Sequence, residues 1–134
     1  MGFRALARLL AGLAILPASL GADQGKAEPE PPYDPATVVD VMATVLEVRE
    51  VPRGNPLSGV HLTVRVEPVI VDVYLGPVDF LKDFELVFRR GDRIQVVGSK
   101  VKSGTAQVLL AREVRRSETT LYLRNRKGQP NWKP

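Results

Sequence analysis

An alternation of apolar and polar residues with a period of two runs through the chain from Thr37 onward. Its clearest stretch is residues 60–66, where valine and leucine alternate with histidine, threonine and arginine. This pattern is typical of strands that are buried on one face, and valine is a residue that favours strands. The sequence therefore predicts an all-β domain.

Turn residues divide this region into separate strands. The first strand changes phase between Val45 and Leu46, which predicts a β-bulge. Gly76-Pro77 ends the third strand, and we expect one to two helical turns over residues 78–83, because proline is favoured in the first turn of a helix. An extended piece over residues 84–88 follows. The predicted strands cover residues 39–48, 60–66, 69–75, 93–98, 106–114 and 121–123.

Three strands, a short helix and two further strands follow the order of an OB-fold, a five-stranded Greek-key barrel. In that fold the helix between the third and fourth strands closes one end of the barrel. An immunoglobulin-like sandwich would need about seven strands and would lack the central helix. The sequence thus predicts an OB-fold-like barrel with a short C-terminal strand and tail. We expect one shared core made of Val45, Leu62, Val73, Phe80, Ile94, Val96 and Leu110.

The N-terminal part of the chain lies outside this pattern. Two arginines precede a short apolar run, and residues 19–21 supply the small side chains of a cleavage site, so residues 1–21 are predicted to be a secretory signal peptide. Residues 22–36 are rich in proline and glutamate, which is typical of a linker. Residues 37–134 form the predicted domain. We expect a periplasmic or secreted protein with no stable membrane insertion after cleavage.

The residue composition excludes several kinds of site. Cysteine is absent and histidine occurs once, as His61, so a cysteine-based zinc or iron–sulfur site and a His-His metal pair within one chain are excluded. A lone histidine in the polar phase of a strand is expected at the surface or the rim. No phosphate loop, dinucleotide fingerprint or nucleophile elbow occurs. We therefore expect no catalytic residue, no cofactor and no metal site.

Charge is divided unevenly along the chain, which carries a net charge of +4. Residues 37–88 hold four Lys/Arg and eight Asp/Glu, whereas residues 89–134 hold twelve and three. Either the folded surface is dipolar and its basic side attracts polyanions, or the two kinds of patch meet on folding and form an ordinary solvated surface.

Several short segments together form a recognisable set: Val73–Pro77, Phe80-Leu81, Gly91-Asp92, Gly98-Ser99, Ala111–Val114 and Leu121–Arg124, followed by Gly128, Pro130 and Trp132. With these segments the chain resembles a family of small exported bacterial OB-fold proteins of unsettled function. The resemblance covers residues 38–132 and implies the fold and export, without implying a chemistry. Tyr74 stands where such sequences often carry histidine, and Asn125 where they often carry aspartate. Exported OB-fold haem chaperones are a looser likeness, but they attach haem through a histidine near the C-terminus, and this chain has none after His61.

The position of ligand sites in OB-folds predicts which residues could bind a partner. These folds bind ligands across strands two and three, framed by the loops between strands one and two and between strands four and five. In this chain those places hold the candidates Arg53, Arg65, Tyr74, Lys100 and Lys102. Tyr74 is the aromatic residue placed to stack on a nucleic-acid base.

Three further candidates lie in the C-terminal part of the chain. Arg112 shares the phase of its apolar neighbours, which points its side chain toward the barrel interior or rim. Asp92 is a candidate partner, whereas Glu113 should face the opposite way because neighbours on a strand alternate. Arg124 and Trp132 either cover an open end of the barrel or contact a ligand.

These patterns favour a non-catalytic exported binding module that acts on a protein, a peptide or a small anionic ligand in the cell envelope. The partner is then an envelope protein or a small anion. A second hypothesis is a single-stranded oligonucleotide-binding protein, which would use the basic candidates and Tyr74. A third is an envelope structural or stress protein whose working surface is the edge of a sheet.

Overall fold

A computed structural model describes residues 30–133. The predicted signal peptide and the predicted linker up to residue 29 lie outside the described residues. A 3₁₀ turn at Pro35–Thr37 precedes the first strand. The further elements are β1 (Val38–Val51), β2 (Gly59–Val66), β3 (Val69–Gly76), α1 (Val78–Leu81), β4 (Arg93–Ser103), β5 (Ala106–Arg116) and β6 (Thr119–Tyr122). No helix in the described range is long and apolar enough to cross a membrane.

The strands form one sheet that closes into a barrel. Their order is β3-β2-β1-β4-β5-β6, and a further pairing joins β3 to β5. That closing contact is short and parallel, and it pairs Asp72–Tyr74 with Val108–Leu110. β6 pairs with β5 alone and lies outside the closed ring of five strands. The predicted five-stranded barrel, with one short helix between β3 and β4 and a short extra strand, is confirmed.

Two bulges set which side chains point into the barrel. The predicted bulge in β1 is confirmed, because the register with β2 shifts between Val45 and Glu47. A second bulge, which the sequence did not predict, lies in β5 at Arg112, where the register with β4 shifts. The backbones approach closely there, since a Cβ on Gly98 would collide with the carbonyl group of Leu110. Each bulge changes the alternation of the residues that follow it.

The predicted core is largely confirmed, with one correction. The barrel interior buries valine, leucine, isoleucine and alanine side chains from all six strands. Leu110 is buried but lies outside the barrel, in a second cluster, so its placement in the shared core was wrong. Leu109 and Ala111 point inward instead, and the bulge at Arg112 returns Val114 to the interior. Phe80 is half-buried and packs against the core at the α1 end of the barrel.

The two ends of the barrel differ. β3 runs from one end of the barrel to the other, where its last residue, Gly76, lies beside α1. α1 and the segment 84–88 cover this second end. The end opposite α1 holds a cavity of about 230 Å³, lined mainly by valines and by Lys100 and Gln107 at its edge. The barrel therefore has one covered end and one open, apolar end.

The second cluster lies on the outer face of the barrel. It buries Leu57, Tyr74, Val101, Val108 and Leu110, and Tyr33 and Trp132 pack against it. Leu57 comes from the β1–β2 loop, Tyr33 from the N-terminal segment and Trp132 from the C-terminal tail. Three segments that are far apart in the chain therefore meet on this face. The part of the predicted linker that the structure describes lies against the barrel, where the Asp34 amide donates to the Ser99 hydroxyl over 2.9 Å.

Candidate functional site

Part of the outer face of β2 and β3, where OB-folds usually bind ligands, is covered by the chain itself, whereas Arg65 and Ile70 on the same face are exposed. His61 and Tyr74, which face outward from these strands, are only 4% and 3% exposed. The β1–β2 loop folds back over them and buries Leu57. The expectation that His61 lies at the surface or rim was wrong, and so was the expectation that Tyr74 presents an exposed ring. Both expectations depended on strand alternation, which does not report what a distant loop covers.

A charged network holds this face together. One oxygen of the Asp72 carboxylate accepts from Arg49 Nη2 and lies against His61 Nδ1, each at 2.9 Å. The other ring nitrogen of His61 lies 2.7 Å from the carbonyl oxygen of Leu57. Burial of Asp72 opposes its ionisation, but the His61 hydrogen bond and the charges of His61 and Arg49 outweigh burial and lower the pKa of the carboxyl. His61 therefore ties the β1–β2 loop to the sheet.

Tyr74 makes a second tie to the same loop. Its hydroxyl donates to the carbonyl oxygen of Ser58 over 2.8 Å. Burial raises the pKa of Tyr74 to about 12, and the negative charge of Glu30 acts in the same direction. The ring lies 5.1 Å from the His61 ring and meets Trp132 edge-on. Tyr74 is thus a packing residue of the covered face.

Arg124 is buried between two aromatic rings. Its guanidinium carbon lies 5.2 Å from the ring centre of Trp132 and 5.9 Å from that of Tyr33. Nη1 donates to the carbonyl oxygen of Gly128 over 3.0 Å, and Nη2 lies 3.7 Å from the Glu30 carboxylate. Burial lowers the pKa of Arg124, and the Glu30 charge opposes that effect. Arg124 therefore holds the N-terminal segment against the barrel instead of facing solvent.

Trp132 covers the end of β3. A Cβ on Gly76 would lie 2.9 Å from the indole ring, so the ring rests directly on the glycine backbone. The indole also lies 5.3 Å from the Phe80 ring. The sequence left two roles open for Trp132, covering an end of the barrel or contacting a ligand. In the structure, Trp132 covers the end of β3.

Arg112 has a different partner from the one predicted. Its Nε lies 3.3 Å from the carboxylate of Glu113, the residue that strict alternation excluded. Asp92 pairs with Arg116 instead, at 2.9 Å. The bulge at Arg112 accounts for the contact with Glu113, because it breaks the alternation that would place neighbouring side chains on opposite faces.

The four remaining basic candidates do not form one patch. Arg53 is exposed, lies 3.9 Å from Asp79 and lines a shallow cavity at the α1 end. Lys100 lines the open end of the barrel, on the opposite side. Arg65 and Lys102 are exposed on β2 and β4. The structure therefore separates the residues that a single-stranded nucleic acid would have to contact together.

An apolar groove beside α1 is open to solvent, and we call it the α1 groove. It has a volume of about 320 Å³. Eight large apolar side chains are exposed within residues 30–133, and four of them line this groove: Val48, Val78, Phe84 and Val87. Other lining residues include Leu81, Leu86, Phe88 and Leu121. The sequence predicted an extended piece over residues 84–88 but did not predict that Phe84 and Val87 would be exposed in a groove.

The surroundings of the α1 groove are acidic. Glu47 precedes Val48 on β1, and Asp83 and Glu85 flank Phe84. These three carboxylates and that of Glu50 are exposed and form no ion pair with any residue the structure describes. Asp79 is the nearby exception, because Arg53 and Lys82 both lie within ion-pair distance of it. Two cations are also near: Lys82 lines the groove and pairs with Asp79, and Arg90 donates to the carbonyl oxygen of Leu46 on β1. The groove thus combines an apolar floor with four carboxylates that have no ion-pair partner among the described residues.

No group of three or more histidine or carboxylate side chains in the described part of the chain could hold a metal ion.

The closed barrel, the capping helix and the self-covered outer face define a small protein of the OB-fold class. A comparison with protein families matches residues 37–121 to one of them. The chain belongs to the MamS/MamX magnetosome protein family. This match confirms the resemblance to a small family, and no characterised protein and no solved structure matches the chain.

Proposed function

We propose that this chain is a non-catalytic, exported binding module that docks a partner protein through the α1 groove. The observation that carries the proposal is the grouping of four exposed apolar side chains in one groove. Contiguous apolar surface that is exposed to water is a property of interaction sites, whereas single exposed side chains are ordinary. The name of the family associates it with magnetosomes, and we propose that the partner is a magnetosome protein.

Export is part of the proposal and is supported by the N-terminal sequence. Arg4 and Arg8 precede an apolar run that is too short to span a membrane, and small residues follow. We expect the mature chain to begin at or near Ala22 and to be found in the cell-envelope fraction. N-terminal sequencing of the protein from fractionated cells measures both. Accumulation in the cytosol would contradict export.

Photocrosslinking in cells tests the docking surface. Val87, in the α1 groove, is 57% exposed, and Val69, at the open end of the barrel, is 54% exposed. These two positions form a matched pair, because the residue type and exposure are the same and only the location differs. With p-benzoylphenylalanine at position 87, we expect an adduct with one discrete protein, and none from position 69. Equal adducts from both positions, or none from either, would contradict the proposal.

Single-stranded nucleic acid is the second candidate, and a salt titration separates it from a protein partner. If Arg53, Arg65, Lys100 and Lys102 engaged about four phosphates, log affinity would fall with log salt at a slope near −3. We expect only weak, sequence-independent binding of oligothymidine between about 50 and 200 mM salt. If oligothymidine bound with micromolar affinity at the higher salt and Tyr74→Ala reduced that affinity, the hypothesis of an oligonucleotide-binding protein would be favoured.

A further inference from the structure

The free edge of β6 borders the α1 groove. β6 pairs with β5 on one side only. A second cavity, of about 350 Å³, separates residues 84–86 from residues 119–121 of β6. Phe84, Leu86 and Leu121 line both this cavity and the α1 groove, so the two spaces are continuous. One wall of the combined slot is therefore a sheet edge, and the opposite wall is the segment 84–88.

The backbone of β6 presents hydrogen-bonding groups to this slot. In an antiparallel pair, alternate residues direct their N–H and C=O groups away from the partner strand. The Leu123 amide donates to the Arg112 carbonyl of β5, whereas the Tyr122 carbonyl accepts from the Asn131 side chain, away from β5. Thr120, two residues before Tyr122, therefore also directs its N–H and C=O toward the free edge.

Asn131 of the C-terminal tail occupies the end of this edge, at the carbonyl oxygens of Tyr122 and Leu123. The composition of β6 leaves the edge before Tyr122 available for pairing. Proteins commonly protect a free edge with charged residues or proline. The four residues of β6 are Thr119, Thr120, Leu121 and Tyr122. Threonine and tyrosine favour strands, and none of the four is charged. An extended peptide can add a strand to such an edge and place alternate side chains in the adjoining groove.

The opposite wall is anchored at its far end. The Arg116 guanidinium donates to the carbonyl oxygen of Val87 and, over 2.9 Å, to the Asp92 carboxylate. Residues 85–89 form neither a strand nor a helix and pair with no described strand. The slot thus has a sheet edge on one side and a segment held in place on the other.

The charge of the slot determines the charge of the strand that fits it. Asp83 and Glu85 flank Phe84 at the wall, and Glu47 lies beside Val48 on β1. The two cations that line the slot, Lys82 and Arg116, are paired with Asp79 and Asp92. Asp83, Glu85 and Glu47 have no ion-pair partner among the described residues. Opposite charges across an interface favour the correct partner, and like charges disfavour others. A segment that alternates apolar residues with lysine or arginine satisfies both the apolar floor and the acidic surroundings.

We propose that the partner segment is extended, alternates apolar with basic residues, and binds by adding a strand to the free edge of β6. This inference rests on the proposed docking at the α1 groove and specifies the conformation and charge of what docks there. It also assigns a role to Thr120, through its backbone N–H.

Synthetic peptides of about seven residues test the inference on the mature chain by calorimetric titration. The probe alternates lysine and valine, and a matched peptide replaces lysine with glutamate. Two further peptides carry N-methyl groups on the backbone nitrogens of all lysines or of all valines, which removes alternate N–H donors and keeps the side chains. We expect the lysine peptide to bind at least about tenfold more tightly than the glutamate peptide, and at least one N-methylated peptide to lose about tenfold in affinity.

Two variants at one position test the sheet edge from the side of the protein. Thr120→Pro removes an N–H that faces the free edge, a position where proline is tolerated. Thr120→Ala also loses the side-chain oxygen but keeps the N–H, and is the control. We expect Thr120→Pro to weaken binding of the lysine peptide about tenfold, and Thr120→Ala to change it less than about twofold. If circular dichroism shows that Thr120→Pro does not fold, the N-methylated peptides still test whether the peptide binds by strand addition.

The outcomes separate the two proposals. If both N-methylated peptides bind as well as the parent, or a helical leucine–lysine peptide binds more tightly, strand addition is overturned and docking at the groove stands. Tighter binding of the glutamate peptide overturns the assigned charge. If no peptide binds and position 87 gives no specific crosslink, docking at the α1 groove fails, and strand addition fails with it.

Discussion

Replacing Asp72 with asparagine should loosen the covered face of the barrel. The Asp72 carboxylate lies against the side chains of Arg49 and His61, and His61 in turn holds the β1–β2 loop. Asparagine keeps the size of the side chain and one acceptor oxygen but removes the charge. The loop then loses its electrostatic tie to β3, while the packing of Leu57 in the outer cluster is retained.

The expected loss follows from the exposure of each contact. The His61 side chain is 5% exposed, and a charge-assisted hydrogen bond of this kind contributes about 1.5–3 kcal/mol. Arg49 is 36% exposed, so its ion pair with Asp72 contributes about 0.2–1 kcal/mol. Because asparagine can still accept one hydrogen bond, we expect Asp72→Asn to lower the free energy of unfolding by about 2 kcal/mol at neutral pH.

Urea denaturation across pH tests this reasoning. The pKa of Asp72 in the folded chain lies below its ordinary value of 3.8, so the stabilisation is present above that pH and is lost as the pH falls through the folded-state pKa. The difference between wild type and Asp72→Asn should therefore be largest above about pH 5 and shrink in acid. Asp79→Asn, at an exposed carboxylate, is the control and should change stability little. A difference below about 0.5 kcal/mol, or one that grows in acid, would refute the account.

Two further predictions concern Phe80, at the α1 end of the barrel, and Tyr74, on its covered outer face. Phe80→Ala should lower the free energy of unfolding by about 2–4 kcal/mol, which is less than for a fully buried phenylalanine because Phe80 is half-buried. Urea denaturation measures this loss, and a value below about 1 kcal/mol would contradict the role of Phe80 at the barrel end. In an ultraviolet absorbance titration, Tyr74 should ionise only near pH 12, well above the ordinary value of 10.0. The chain has three tyrosines, so the step is assigned from the difference between wild type and Tyr74→Phe, and a difference centred near pH 10 would show that the Tyr74 ring is accessible to water.

Local patterns in the sequence were sufficient for most of the fold. Alternating valines marked β1, β2 and β3, because one face of each strand is buried in the barrel. The phase change after Val45 marked the first bulge, and Gly76-Pro77 marked the start of α1. These features depend on residues that are close in the chain, and their order alone pointed to the OB-fold.

The candidate site was less predictable, because alternation along one strand does not report what another segment covers. The sequence placed Tyr74 on a polar, outward phase, and it does point outward, but the β1–β2 loop and Trp132 bury it. The bulge at Arg112 has no comparable local signal, and it brings Arg112 to Glu113 instead of the predicted partner Asp92, which pairs with Arg116.

The composition and periodicity of this chain determined an all-β barrel with a short capping helix and without cysteine chemistry, since strand burial and the absence of a residue type can be read locally. Long-range packing determined which surfaces remain open. Tyr33, Leu57 and Trp132 come from three distant segments and close the part of the face around Tyr74 that OB-folds usually use. The α1 groove arises because β1, α1 and β6 meet around the segment 84–88. Exposure is a property of the assembled surface, so these outcomes follow only when segments distant in the chain are placed together.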